Sequence, residues 1–416
     1  MTYSEALSAI HSRKAFSTGG PTLARIQRLL ERLGNPQNRF QAVHVAGTNG
    51  KGSVCALVES ALRAAGHRVG LFTSPYLVDF RERIQVNREP ISEALLTECF
   101  ELVMAQETLL EQAGFEPINE FELVTAIGFV AFSQLQVEYA VIEVGLGGRC
   151  DATNILASPE ICCITPISLD HTGILGSTVA EIAAEKAGIM KPGCPVVLAQ
   201  QELPAQAVLE NAAQRQGSPC IRTKSPKLIS YDLHGITFRY NGETVTIPLL
   251  GRYQMDNAAA AWEVCMALHL PPECVKKGFA RVSWPGRLQY IPGSPDLLID
   301  AGHNPAGITA LCQALDELLP DREIITVMAM MRDKDYRTCI PLVASRSRKL
   351  IAATVGLPRS LPPEELAREA DGFCEATTAA TVAEGIRLAG SMAKKHQLVL
   401  VCGSVYAAGE ALRTIS

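Results

Sequence analysis

No basic excess, no C-x-x-C pair, no repeat or low-complexity tract and no apolar run of bilayer length occur in these 416 residues. Each absence removes a class of function. Lys and Arg number 38 against 43 Asp and Glu, a net charge of −5, so there is no field to hold nucleic acid or an anionic membrane by charge alone. The 13 cysteines are odd in number and scattered. That excludes a disulfide framework and a spaced zinc site, and predicts buried, reduced thiols in a reducing cytoplasm. The start, MTYSEALSAIHSRKAF, has no apolar core after a basic head, so no signal peptide is expected. The longest uncharged apolar stretch, 123–137, is too short and too broken by Ser and Gln to span a bilayer. What is present is a composition of 47% hydrophobic and 19% charged residues, that of a packed globular chain of two or three domains.

Apolar β-branched runs at 41–45, 68–73, 138–144, 160–165 and 195–199 alternate with helical stretches such as 53–65, 121–135 and 180–186. Runs apolar on both faces suit strands buried beneath crossover helices, so the fold class is α/β with a mainly parallel sheet. At 227–250 the texture changes to polar and apolar alternation around Asn241-Gly242, which predicts a small antiparallel sheet appended to this domain. A Pro- and Gly-rich stretch at 290–296 reads as the interdomain connection. Beyond it, strands at 297–300, 323–328, 349–354 and 397–401 alternate with helices at 308–319, 342–346, 363–370 and 382–394. The expected organisation is a phosphate-loop domain over 1–291, a linker at 292–296 and a smaller Rossmann-like domain over 297–416.

The run Gly47-Thr48-Asn49-Gly50-Lys51-Gly52-Ser53 joins an apolar strand to an amphipathic helix. A glycine-rich turn feeding a helix N-terminus aims backbone N–H groups at an anion, and a lysine adds a point charge for β and γ phosphates. The spacing G-x-x-G-K-x-S departs from the common Walker pattern, which would want glycine where Val45 stands and a hydroxyl where Gly52 stands. The alternative is a glycine-rich turn carrying a solvated lysine. Glu143, at the end of the strand Val141-Ile142-Glu143-Val144, is placed to face this loop and to offer a hard cation a carboxylate, or else is a strand-end partner of an arginine. Ser74 and His171 also read as strand-end residues, as metal ligands or as turn caps. Lys186 is either a solvated helix lysine or something more specific.

In chain order, GTNGKGS at 47–53, TSP at 73–75, EVGLGG at 143–148, DATN at 151–154, LDHTGILG at 169–176 and EKAGI at 185–189 resemble the folylpolyglutamate synthase and dihydrofolate synthase family of the Mur ligase superfamily. WPGR at 284–287, DAGHNP at 300–305, DKD at 333–335 and CGSVYAAGE at 402–410 continue the resemblance nearly to the end. Asp300-Ala301-Gly302-His303 departs from it, since the family usually has Gly then Ala between the two polar residues.

The resemblance implies a Mur-ligase-like ATP-binding domain and a glutamate-ligase domain, with ATP and Mg²⁺ required. ATP contacts then fall on residues 47 to 53 and on Asn257, Arg287 and Asp300. Metal ligands fall on Ser74, Glu143 and His171. Catalytic roles go to Lys51, His171, Lys186 and His303, with Lys186 carbamylated, a reaction that requires a neutral amine. A potassium ion is a further cofactor expectation. Phe121, Glu122, Arg149 and Asp151 would meet the folate, the aromatic face and carboxylate suiting a pterin and the arginine fork a carboxylate of dihydropteroate. His303 and Ser404 would meet the incoming glutamate. Because Arg287 and Asp300 flank the expected linker, domain closure would complete the ATP site and exclude water.

The implied reaction is ATP-dependent amide ligation of L-glutamate to dihydropteroate or a reduced folate through an acyl phosphate, which needs no protein nucleophile. A cytoplasmic monomer without nucleic-acid or membrane partners is expected. Four other readings stay open: a folylpolyglutamate synthase alone, a non-catalytic nucleotide-binding paralogue, a nucleotide switch, and a peptidoglycan Mur ligase. The switch lacks an N-K-x-D-like motif, and the last should carry a further domain ahead of the loop, which only about forty residues precede here.

Overall fold

Strand β1 (Gln41–Ala46) is buried along all but its first residue, as expected of a strand covered on both faces. The structure is a computed structural model and describes residues 1–14 and 22–415. It divides into two compact units: Met1–Pro75, Arg81–Ser225 and Asp256–Arg281 form the first, and Tyr76–Phe80, Pro226–Met255 and Val282–Ser416 the second.

Among the described residues the first unit holds an eight-stranded sheet. Its further strands are β2 (Val69–Phe72), β3 (Ile84–Val86), β4 (Glu89–Pro90), β5 (Tyr139–Glu143), β6 (Ile161–Ile164), β7 (Val196–Leu198) and β8 (Cys220–Arg222), in the order β4-β3-β2-β5-β1-β6-β7-β8. From β2 to β8 across the sheet all pairs are parallel, and the short β3 and β4 add an antiparallel edge. β1 lies between β5 and β6, in register Val45↔Glu143 and Ala46↔Ile164, so three carboxyl ends meet where the chain leaves β1. In an open parallel sheet that crevice is where ligands bind.

The second unit carries two sheets. Strands β9 (Lys227–Asp232), β10 (Gly235–Tyr240) and β11 (Glu243–Ile247) form the antiparallel sheet expected from the alternation around Asn241-Gly242. Strands β12 (Gln289–Ile291), β13 (Asp296–Ile299), β14 (Ile324–Met328), β15 (Lys349–Ala352), β16 (Glu375–Thr378) and β17 (Leu398–Cys402) form the other, in the order β12-β13-β17-β14-β15-β16. It is parallel except for β12. One apolar core beneath it takes Ile308, Leu311, Ile340 and Leu366, and another takes Val382, Ala389, Ala407 and Ala411, so helices cover both faces.

Two boundaries differ from expectation. The 227–250 segment belongs to the second unit, because Leu250 is buried with Leu288, Leu298 and Met328 while Tyr231 and Leu233 pack against that core. Residues 292–296 are not an interdomain connection but the turn of the β12–β13 hairpin, where Gly293 N–H donates to Asp296 Oδ1 at 2.9 Å. The same Pro and Gly punctuation serves a hairpin as well as a linker. The helix expected at 342–346 runs Tyr336–Ala344, with Asp335 capping its start and Pro341 inside it. Among the described residues no helix is long and apolar enough to cross a membrane.

Candidate active site at the phosphate loop

The turn after β1 is shaped by two glycines at positive φ, Gly47 (146°) and Gly50 (89°), values that side chains on L-residues resist. Space forbids them too: a Cβ at Gly47 would collide with Thr165 Oγ1, and one at Gly50 with the Asn257 side-chain amide. The turn is tied down from the next strand, since Thr48 and Asn49 N–H both donate to Pro166 O, at 3.0 and 3.3 Å. Thr48 Oγ1 bonds Ser168 O at 3.1 Å, and Asn49 Nδ2 donates to Ser168 Oγ at 3.3 Å. Those two N–H groups are therefore occupied, and the helix Lys51–Ala64 makes its first backbone bond from Val54 N to Gly50 O. The N–H groups of Lys51, Gly52 and Ser53 are left as the donors an anion can use.

Charged side chains gather around this turn. Lys51 Nζ donates to Thr48 O at 3.3 Å and stands 3.9 Å from Glu143 Oε1. Glu143, the last residue of β5, is buried, and its Oε2 accepts Ser74 N–H at 3.2 Å. Lys186, the last residue of the helix Val179–Lys186, is also buried and donates to Gly47 O at 2.8 Å. Burial, and then the Lys51 charge, bring its pKa down to about 7, against the pull of Asp170 and Asp151. His171 is not at a strand end, because β6 stops at Ile164. It precedes the short helix Thr172–Leu175 with φ 50°, its Nε2 3.9 Å from Asp170 Oδ1. Among the described residues no three His, Cys, Asp or Glu side chains converge on one point. A magnesium ion beside a polyphosphate keeps several waters and takes only one or two carboxylates, a requirement that buried Glu143 with Ser74 beside it fits.

The expected folate residues divide. Phe121, on the helix Glu120–Gln134, is half-buried, with its ring edge-on to Phe72 at 6.0 Å and against Gly145. Glu122 is buried, and its carboxylate is occupied at its own helix start by Asn119 N–H at 2.8 Å and by Arg25 at 3.3 Å. It is a capping-box residue rather than a free partner for a pterin edge. Asp151 is likewise consumed: its oxygens accept Leu146 N–H, Thr153 N–H and the Thr153 hydroxyl. Thr153 Oγ1 is also 2.8 Å from His44 Nε2, so a buried chain His44–Thr153–Asp151 braces the loop after Glu143. Arg149 is exposed and reaches back to Glu185 Oε1 at 3.3 Å and Ala184 O at 3.3 Å.

Asn257 belongs to the first unit; Arg287, Asp300, His303 and Ser404 belong to the second. Asp300 is buried directly after β13 and accepts Leu288 N–H at 3.0 Å and Gly302 N–H at 2.8 Å. Burial raises its pKa and the Arg287 charge opposes the rise. A Cβ at Gly302 would come within 2.6 Å of Asp300 Oδ1, whereas the Ala301 methyl lies in the core, so this chain's Ala-Gly order fits its own backbone. His303 Nδ1 lies 3.0 Å from Ala301 O, and buried Ser404 Oγ accepts Ala407 N–H at 3.0 Å as a helix cap.

Sequence reasoning passed over His44, Thr165, Asp170 and Arg25. A histidine inside an apolar strand was the available signal for the first. Arg25 and Thr165 are defined by neighbours distant in the chain, and Asp170 by its pull on Lys186.

The model for the Mur ligase middle domain matches residues 45–265, and that for the Mur ligase glutamate ligase domain matches 286–405. A Bacillus subtilis dihydrofolate synthase/folylpolyglutamate synthase is 33% identical over 97% of both chains. A Lacticaseibacillus casei folylpolyglutamate synthase is 37% identical over 87% of this chain and 88% of its own. Among solved structures, a Mycobacterium tuberculosis folylpolyglutamate synthase complexed with ADP superposes with a TM-score of 0.92 at 31% identity, covering 99% of this chain and 98% of that one. Loop, charges, fold and relatives agree: the chain belongs to the folylpolyglutamate synthase/dihydrofolate synthase family of Mur ligases.

Proposed function

We propose that this chain uses ATP held at 47–53 to join L-glutamate to folates, accepting both dihydropteroate and a reduced folate. The observation that carries the reading is the pairing of Lys51 with Glu143 at the mouth of a glycine turn whose helix N–H groups stand open. Relatives named dihydrofolate synthase/folylpolyglutamate synthase support the dual substrate range.

In this reading the three helix N–H groups and the Lys51 ammonium lie against the β and γ phosphates, with Asn257 behind the turn. The substrate carboxylate attacks the γ-phosphorus and ADP leaves, its growing charge met by Lys51. The amine of glutamate then adds to the acyl phosphate carbon, loses a proton to solvent, and expels phosphate. Magnesium, held by Glu143 and Ser74 with His171 as a further ligand, would supply neutralisation of phosphate charge. A near-neutral amine at Lys186 favours carbamylation, and potassium is a further ion of the reading. Phe121 offers the pterin a face, Arg149 offers a carboxylate a fork, and Glu122 and Asp151 act by holding the backbone of that pocket. His303, and the Ser404 hydroxyl through its remaining proton, address glutamate; Arg287 and Asp300 address the nucleotide. The protein works as a cytoplasmic monomer.

The test is ADP release with each folate. Wild type should require folate and glutamate together, and Glu143→Gln should abolish magnesium-dependent ligation with the fold unchanged. ATP hydrolysis indifferent to both substrates would leave a nucleotide-binding module. Activity on the reduced folate alone would leave a folylpolyglutamate synthase.

A further inference from the structure

Cys162 lies on β6, and Cys194 closes the turn just before β7. Cys162 N–H donates to Pro195 O at 2.9 Å, so residue 194 is one place from the position bonded to Cys162. The two sulfurs are 3.9 Å apart inside the core formed with Ile189, Met190 and Val196. A disulfide needs about 2.05 Å between sulfurs and neighbouring backbones, and the Cys162 N–H to Pro195 O bond brings the backbone next to residue 194 alongside Cys162. Each thiol is held by a carbonyl, Cys162 by Ile189 O at 3.3 Å and Cys194 by Pro159 O at 3.1 Å. Lys191 lies near both, its Nζ on Asn154 O at 3.0 Å.

We propose that Cys162 and Cys194 form a reversible disulfide within the folded protein, and that closing it shifts the 187–194 segment that follows Lys186. The oxidant is a hydroperoxide. The Cys194 thiolate attacks one peroxide oxygen, the O–O bond breaks, and hydroxide or alkoxide leaves with the electron pair, giving a sulfenic acid. Cys162 sulfur then displaces the sulfenic oxygen as water, taking up the Cys162 proton, and the S–S bond forms. Two thiols are oxidised and one peroxide is reduced. Cys194, 8% exposed against 0% for Cys162, is the thiol a peroxide reaches first, and the Cys162 thiol acts as the partner that resolves the sulfenic acid. Closure removes the Cys162 donor from Ile189 O. Ile189 adjoins Gly188, whose carbonyl is held together with that of Arg149 by the Asn154 amide at 3.0 and 2.9 Å. The effect is thereby carried to the loop beside the phosphate turn. Cys150 and Cys220 are the exposed thiols, and the structure pairs neither with a second sulfur.

The native full-length protein is treated with limiting hydrogen peroxide, alkylated and mapped by mass without reduction. The expected product is one 162–194 crosslink lighter by two hydrogens, reversed by dithiothreitol. Both cysteines fully alkylated while Cys150 and Cys220 are oxidised would overturn the proposal. That readout is independent of the ligase reading. The second arm rests on that reading: turnover should fall at least ~5-fold on crosslinking and recover on reduction. Cys194→Ser should resist the same treatment. A crosslink that leaves turnover unchanged, or an equal loss in Cys194→Ser, would refute the coupling.

Discussion

At the carboxyl end of β1 charged side chains come close to one another as well as bonding backbone groups; at the carboxyl ends of β13 and β17 the side chains bond to nearby backbone. Around the phosphate turn, Lys51 approaches Glu143 and Lys186 is buried close enough to feel the Lys51 charge. In the second unit Asp300 holds Leu288 and Gly302 N–H, His303 lies on Ala301 O, and Ser404 caps a helix. Both edges occupy the same topological place in a parallel sheet, where ligands collect. The difference shows two ways of preparing such an edge. One brings two lysines and a carboxylate close together around the turn. The other fixes the backbone so that it presents donors without rearranging.

The strongest test of that contrast is Lys51→Ala. Turnover should fall by at least ~100-fold with the thermal midpoint nearly unchanged, because the ammonium serves the ligand and not the fold. Near-wild-type turnover would erase the contrast. Asp300→Ala should act the other way and cost about 2–3 kcal/mol in urea unfolding, since it strands two buried N–H donors. An unchanged midpoint would mean that the carboxylate is not holding the backbone.

Acid should act with opposite signs on buried His44 and on the buried carboxylates Asp300 and Asp151. Burial, helped by the Lys191 charge, lowers the His44 pKa to about 3 from 6.5, so between these values the unfolded chain binds the proton that the folded chain refuses. Stability from His44 is full above pH 6.5 and is lost as pH falls, about 2 kcal/mol by about pH 5. Asp300 is raised, so its folded form binds the proton more readily and acid favours it. Hydrogen exchange should show the β1 amides around His44 losing protection as pH falls from 6.5 to about 5; protection unchanged over that range would refute this assignment.

Arg149 is 59% exposed at its side chain and already paired with Glu185, so Arg149→Ala should have a smaller effect. Glutamylation of dihydropteroate should drop roughly tenfold, and extension of a reduced folate less, without a change in ATP affinity. Equal losses would make the arginine structural. Ser404→Ala should be mildest, costing about 1 kcal/mol as a lost helix cap. A large rise in the KM for glutamate instead would move Ser404 from backbone support to substrate contact.

The phosphate turn was legible because its chemistry is local: seven consecutive residues carry the glycines, the lysine and the helix start. The parallel strands were legible because runs such as 41–45 and 160–165 are apolar on both faces. What escaped depends on distance along the chain. Arg25 reaches Glu122 and His44 reaches Thr153 only after folding, so a carboxylate that reads as a ligand becomes a cap or a brace. The 227–250 alternation marks a sheet but not its unit, because alternation reports a half-buried sheet and not which core it covers. Pro341 likewise hid the start of its helix, since a proline normally ends one.

The chain passes between units at 75/76, 80/81, 225/226, 255/256 and 281/282. No single cut therefore yields two self-sufficient fragments. Truncation after residue 281 would strand Leu250, Tyr231 and Leu233 without Leu298, Met328 and the rest of the core they cover. The piece beginning at 282 would expose that same apolar face to water. Dissection of this enzyme into separately expressed halves should give aggregation-prone products, and swapping halves between relatives should succeed only if 76–80 and 226–255 travel with the C-terminal part.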